Sequence, residues 1–203
     1  MPADAVSNDT DGAPGTYAKG IARRQEILDR AIEVFAARGA TGTSLRAIAQ
    51  AIGVSHGALT HYFTSREQLL VEVYREAEAR RPPADPDESL SPVRRMTKSA
   101  ELNRSVPGLV QLYTTLVATA LEDGHPEATT FITERFRDVR GRLTAQIERT
   151  QAEGLLRADL SPATVASLII AASDGVQTQW LLDPSVDHAG ALAALESLLS
   201  PHD

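Results

Sequence analysis

Residues 44–70 read SLRAIAQAIGVSHGALTHYFTSREQLL, and the fold turns on this stretch. Ser44 is an N-cap residue, and Leu45, Ile48, Ala49 and Ile52 after it fall on one face of a short helix. Gly53 supplies the left-handed position that ends that helix. Ser55 caps a second helix, whose Leu59 and Tyr62 face back toward the first, and Ala49 is small where the two cross. Helix, short glycine-containing turn, helix is the helix-turn-helix pattern. Ser65, with Gln68 three residues on, makes a capping box that opens a third helix.

The string as a whole resembles the DNA-binding domain of the TetR family of bacterial transcriptional regulators. The resemblance rests on Thr43-Ser44, Ile48-Ala49, Gly53-Val54-Ser55, Gly57, Leu59, Tyr62-Phe63 and Leu69, in register without a gap. Thr60 departs from it, since the family usually has Tyr there. Arg66 is a milder departure, where Lys is commoner. The resemblance implies an all-α chain of about nine helices: a helix-turn-helix domain over residues 19–66, then a helical ligand-binding and dimerisation domain over 67–203.

Composition agrees with a helical protein. Of the 203 residues 42% are hydrophobic and only 4% aromatic. There is no Cys, which removes disulfides, Cys-based zinc sites and thiol redox sensing. No apolar run is long enough for a membrane span and residues 1–20 lack the apolar core of a signal peptide, so a cytoplasmic protein is expected. A net charge of −7 looks wrong for a DNA binder until it is divided along the chain. Residues 1–18 carry −3, residues 19–66 carry +4 and the rest carries −8. Positive charge therefore sits with the helix-turn-helix, where phosphates would be met.

Residues 1–18, rich in Asp, Gly, Pro, Ser and Thr, are expected to be a disordered tail. A long helix over 21–38 should place Ile21, Leu28, Ala31, Ile32 and Phe35 on one stripe. Ser65 to Arg80 is the connecting helix, with Leu69, Leu70, Val73 and Tyr74 on its apolar side and Pro82-Pro83 beyond its end. From residue 90 onward there are no strand signals. Ser91-Pro92 and Ser161-Pro162 pair an N-cap with Pro at the first helical position. Further helices are expected over 105–123, over 126–152 and, capped by Asp187, up to Leu199.

The second helix of the motif would enter the major groove. By the resemblance, Arg46, His56, Gly57, Thr60 and His61 are the candidate base readers, while Ser44, Ser55, Tyr62 and Arg66 would mainly hold phosphates. Arg46 has the fork geometry for guanine, and Thr60 has a hydroxyl for phosphate and a methyl for thymine. The resemblance also implies a homodimer formed through the last two helices, reading a palindromic operator, with a small-molecule effector bound between residues 90 and 182. Candidate pocket residues are Met96, Leu109, Tyr113, Leu116, Phe131, Arg135, Gln177 and Trp180. Trp180 fits dimer packing equally well, Phe131 fits a core position, and Arg135 has Glu134 and Asp138 as helical neighbours. The segment from Asp174 to Pro184 looks like part of a C-terminal domain type of this family. Effector binding would move the connecting helix and release DNA, as in a repressor. No cofactor and no metal site is expected. An enzyme is the first rival, but no HxxxH, Gly-rich phosphate loop or nucleophile elbow is present. A DNA-binding activator or architectural protein without an effector is the second.

Overall fold

Helices alone make up the regular structure of the described residues, which in this computed structural model are 14–38, 44–80 and 90–201, with side chains of the first helix described from Lys19 to Phe35. The order is α1 (Pro14–Arg38), α2 (Leu45–Ala51), α3 (His56–Tyr62), α4 (Arg66–Ala79), α5 (Pro92–Ser105), α6 (Leu109–Ala120), α7 (Pro126–Ala152), α8 (Pro162–Leu182) and α9 (His188–Leu199). The all-helical expectation holds. The expected tail lies outside the described residues up to residue 13, whereas 14–18 are already helical.

The caps act as the sequence chemistry requires. Ser44 Oγ accepts from Ala47 N (3.2 Å) and Ser55 Oγ from Ala58 N (3.0 Å). Between them Gly53 sits at φ 72°, with Gly53 N bonded to Gln50 O and Val54 N to Ala49 O. These two bonds form a Schellman end, whose left-handed residue costs glycine nothing. Ser65 Oγ accepts from Gln68 N (2.9 Å), but the Gln68 side chain reaches back one residue further than a capping box asks, to Thr64 N (2.7 Å). Between α5 and α6, Pro107 and Gly108, at φ 74°, delay α6 until Leu109, four residues later than expected.

Two apolar clusters fill the interior. One joins Ile27, Leu28, Ala31 and Phe35 of α1 to Ile48, Leu59 and Phe63, then passes through Leu69, Leu70 and Tyr74 of α4 to Leu112 and Leu116 of α6 and Phe131 of α7. Ile27 takes the buried place expected of Ile21, which is 55% exposed. Through α4, one core runs from the helix-turn-helix into the helical half. The second cluster joins Val93 of α5, Leu143 and Ile147 of α7, Ile169 of α8 and Leu192 of α9.

Polar bonds fix α4 on both sides. Toward α1, Arg24 pairs with Glu72 (2.6 Å) and lies over the Phe63 ring, Gln25 bonds Glu76 (2.8 Å), and Arg80 pairs with Asp29. Arg24 thus clamps α1 to α4. Toward α7, Ser65 Oγ donates to Glu127 (2.7 Å), Glu67 accepts from Ala128 N, and Arg135 pairs with Glu78 (2.7 Å).

His188 opens α9 and is 1% exposed, with its ring against the Ser173 backbone of α8. Burial, then Arg104, lowers its pKa; Glu101, a hydrogen bond to the Ser173 backbone and Asp187 oppose this. A His held neutral in the fold contributes stability that is full above its unfolded pKa of about 6.5 and is lost as pH falls toward the lower folded value. The urea midpoint of the chain is therefore expected to fall more steeply between pH 7.5 and 5 than that of His188→Leu. Parallel pH profiles would show that the ring does not titrate in this way.

Candidate functional site

The candidate DNA-reading surface is built by α2 and α3. Ser44, Arg46, Ser55, His56, Gly57, Thr60 and His61 are all exposed, and Tyr62 and Arg66 are half-buried. Leu59 and Ile48, on the opposite faces, are fully buried. The serine hydroxyls already accept a backbone N–H, and each hydroxyl hydrogen remains for an anion. Thr60 Oγ1 lies 3.1 Å from His56 O and 3.2 Å from Gly57 O, so its hydrogen is used within the helix. The methyl group and the oxygen lone pairs are what Thr60 offers outward. The His61 ring meets the Tyr62 ring edge-on, with centroids 4.9 Å apart.

Gly57 has no internal reason to be glycine. Its φ is not in the left-handed region, and an added Cβ would meet nothing within 4 Å. A helical Gly costs about 1 kcal/mol against Ala.

The helical half holds a cavity of about 620 Å³, within the roughly 300–1,000 Å³ range of small-molecule sites. Met96, Tyr113, Arg135 and Gln177 of the expected pocket residues line it. The other four lie elsewhere. Leu109, Leu116 and Phe131 belong to the first core, because α6 and the start of α7 turn their apolar side chains toward α4. Trp180 packs under Arg104 of α5, its ring centroid 5.6 Å from the guanidinium.

Arg135 organises the inner end of the cavity. It does not pair with Glu134 or Asp138 but reaches α4, donating to Glu78 and lying 5.1 Å from the Tyr74 centroid and 5.2 Å from that of Tyr113. Burial works against its charge, and Tyr74, Glu78 and Tyr113 outweigh that, so its pKa stands above the ordinary guanidinium value. Tyr113 Oη donates to Asp174 of α8 (3.0 Å). Burial, then Asp174, pushes the phenol up, and burial also pushes the Asp174 carboxyl up against the opposing pull of Tyr113 and Arg135. Glu78, Asp174, Arg142 and Arg149 are lining residues that sequence reasoning missed. The spacing of Arg135, Arg142 and Arg149, seven apart on α7, was the available signal.

A helix-turn-helix joined through a connecting helix to a helical half with a cavity defines a DNA-binding regulator with a ligand-sized interior space. The family model for bacterial regulatory proteins of the tetR family matches residues 27–73, and the model for the BetI-type transcriptional repressor C-terminal region matches residues 107–201. The chain belongs to the TetR family of bacterial regulatory proteins. The transcriptional repressor KstR2 of Mycolicibacterium smegmatis is 42% identical over 64 residues, 32% of this chain and 31% of that repressor. The chain thus spans about a third of the length of the curated relatives it matches. A TetR-family regulator from Cytophaga hutchinsonii has the same fold (TM-score 0.70, 17% identity, 91% of this chain and 98% of that one). So does a regulator from Saccharomonospora viridis solved with choline (TM-score 0.69, 19% identity, 90% and 100%). Among the described residues no helix is long and apolar enough to cross a membrane.

Proposed function

We propose that this chain is a ligand-responsive transcriptional repressor, which binds a palindromic operator as a homodimer and is released by a small molecule. The observation that carries the reading is the α3 face, where exposed His56, Thr60 and His61 surround a glycine that the chain's own packing does not require. Curated repressors similar to part of the chain support the sign of regulation. The fold neighbour solved with choline supports a small-molecule effector without fixing its chemistry. The reading divides the chain into a DNA-reading head at 19–66 and a sensing and pairing part at 67–203, acting in the cytoplasm, and assigns no catalytic residue.

A second copy is supported by the outer face of α8. Leu168, Ala171, Gly175 and Leu182 are exposed at helical spacing, and a Cβ on Gly175 would meet nothing within 4 Å. Exposed Ala189, Ala193 and Leu198 of α9 extend the apolar surface. A dimer places two α3 helices about one DNA turn apart, hence the palindrome.

The coupling route in this reading is α4, bonded to α7 through Ser65, Glu67 and Glu78 and to α1 through Glu72, Glu76 and Arg80. An effector that reorganises Arg135 acts directly on the Glu78 end. A coupling of about 1–3 kcal/mol gives about 5–150-fold loss of DNA affinity.

The test is selection of random duplexes by the purified chain at moderate salt, then sequencing. An inverted repeat is expected. Recovery of no motif would overturn sequence-specific reading by α3. On the recovered site, Arg46→Ala is expected to lose about 5–150-fold in affinity and to relax preference at one position of each half-site. A uniform loss across sequences, with a shallower salt dependence, would reassign Arg46 to phosphate.

A further inference from the structure

The effector reading leaves the chemistry of the effector open, and the inference made here rests on that reading. Four arginines face the cavity against two carboxylates: Arg95, Arg135, Arg142 and Arg149 against Glu78 and Asp174. Three of the arginines lie seven residues apart on α7. Seven residues are nearly two turns, so their guanidinium groups form a stripe down one wall, with roughly 10 Å of rise between neighbours.

The charges at the inner end are already matched. Glu78 is bonded to Arg135, whose flat faces are taken by Tyr74 and Tyr113, and Asp174 accepts from Tyr113. Arg142 and Arg149 are different. Both are exposed, and among the described residues neither makes a side-chain hydrogen bond or ion pair. Met96, Phe136, Val139, Leu143 and Ile170 supply the apolar lining. The cavity thus joins an apolar interior to an unmatched pair of positive charges on its exposed wall. That arrangement suits an apolar body carrying an anion and disfavours a cation, which would meet two guanidinium groups with no acid left to offset them.

We propose that this cavity takes an amphipathic anion, a carboxylate or phosphate ester on an apolar body, with Arg142 and Arg149 holding the charged group and Met96, Phe136, Val139 and Leu143 the body.

The test is isothermal titration of the full chain with four probes that share a ten-carbon body: decanoate, monodecyl phosphate, decyltrimethylammonium and decanol, each below its micelle concentration. At least one anion is expected to bind about tenfold or more tighter than the cation and the alcohol. Which anion it is distinguishes a carboxylate source from a phosphate ester source. Arg142→Gln combined with Arg149→Gln is expected to erase that preference while leaving the urea midpoint unchanged, since both side chains are exposed. The proposal is overturned if the cation or the alcohol binds as tightly as the anions, if the preference survives in the double variant, or if none of the four binds. The two readings fail separately. Release of DNA by the cation alone would keep the effector reading and remove the anion; anion binding with unchanged DNA affinity would do the reverse.

Discussion

Tyr74→Ala is expected to lower the unfolding free energy by about 3–5 kcal/mol, the range for removing a large aromatic from a closed core. Tyr74 is 1% exposed and sits where α4, α6 and α7 meet. Its ring packs at 5.6 Å from Tyr113 and 5.7 Å, edge-on, from Phe131, and its face carries the Arg135 guanidinium. Truncation removes all three contacts at once and leaves a space that backbone atoms of three helices would have to move to fill. Tyr74→Phe keeps the ring and its packing, and is expected to cost far less. Urea denaturation followed by circular dichroism measures both. A loss below about 1 kcal/mol for Tyr74→Ala would mean that the junction collapses easily and that the core is not continuous through α4 in the energetic sense.

This prediction also bears on coupling. Tyr74 belongs to the connecting helix and to the cavity wall together. In the proposed reading, a side chain in both places would be a short path from effector to reading head, because a change at Arg135 meets Tyr74 and Glu78 on the same helix face. The polar bonds of α4 to α1 start two residues to either side of Tyr74, at Glu72 and Glu76, on the opposite face of the helix. Movement of α4 against α7 would therefore carry α1 with it.

How much of this was legible in the sequence follows from the range of each force. Caps are local chemistry, and the helix starts at Ser44, Ser55, Ser65, Ser91-Pro92, Ser161-Pro162 and Asp187 all stand where the sequence puts them. The start of α1 at Pro14 was not legible, because Gly, Pro and Thr at its head read as loop composition. Nor was the late start of α6, expected from residue 105 and found at Leu109 behind Gly108. Partners across the fold were least legible. Arg135 has acids beside it on its own helix, yet its partner is 57 residues away. Period alone cannot say whether an apolar residue such as Leu116 or Phe131 lines a cavity or fills a core. The exposed α3 face was legible because helical spacing fixes which side Leu59 occupies and so which side is left exposed.

Leu168→Glu combined with Leu182→Glu is expected to convert the proposed pair into single chains and to lower affinity for a full palindrome by about 100-fold or more. Both side chains stand on the outer face of α8, 48% and 84% exposed, with small residues between them. Within one chain the substitutions bury no charge and remove little packing, so the unfolding midpoint of the separated chain should depend little on them. Across a two-fold axis each residue is used twice, and the double variant places four carboxylates in an apolar contact, where an unpaired charge is expensive. The DNA effect follows from tethering. Two joined reading heads gain about 10²–10⁴ in avidity over one head, and that gain disappears when they separate. Sedimentation equilibrium gives the mass and titration of a labelled duplex gives the affinity. If mass and affinity both stay at wild-type values, the α8 face is not the pairing surface. If the chain becomes single but binds the palindrome as before, pairing in solution is not what sets affinity, and the symmetric mode of reading must be rebuilt around α3 alone.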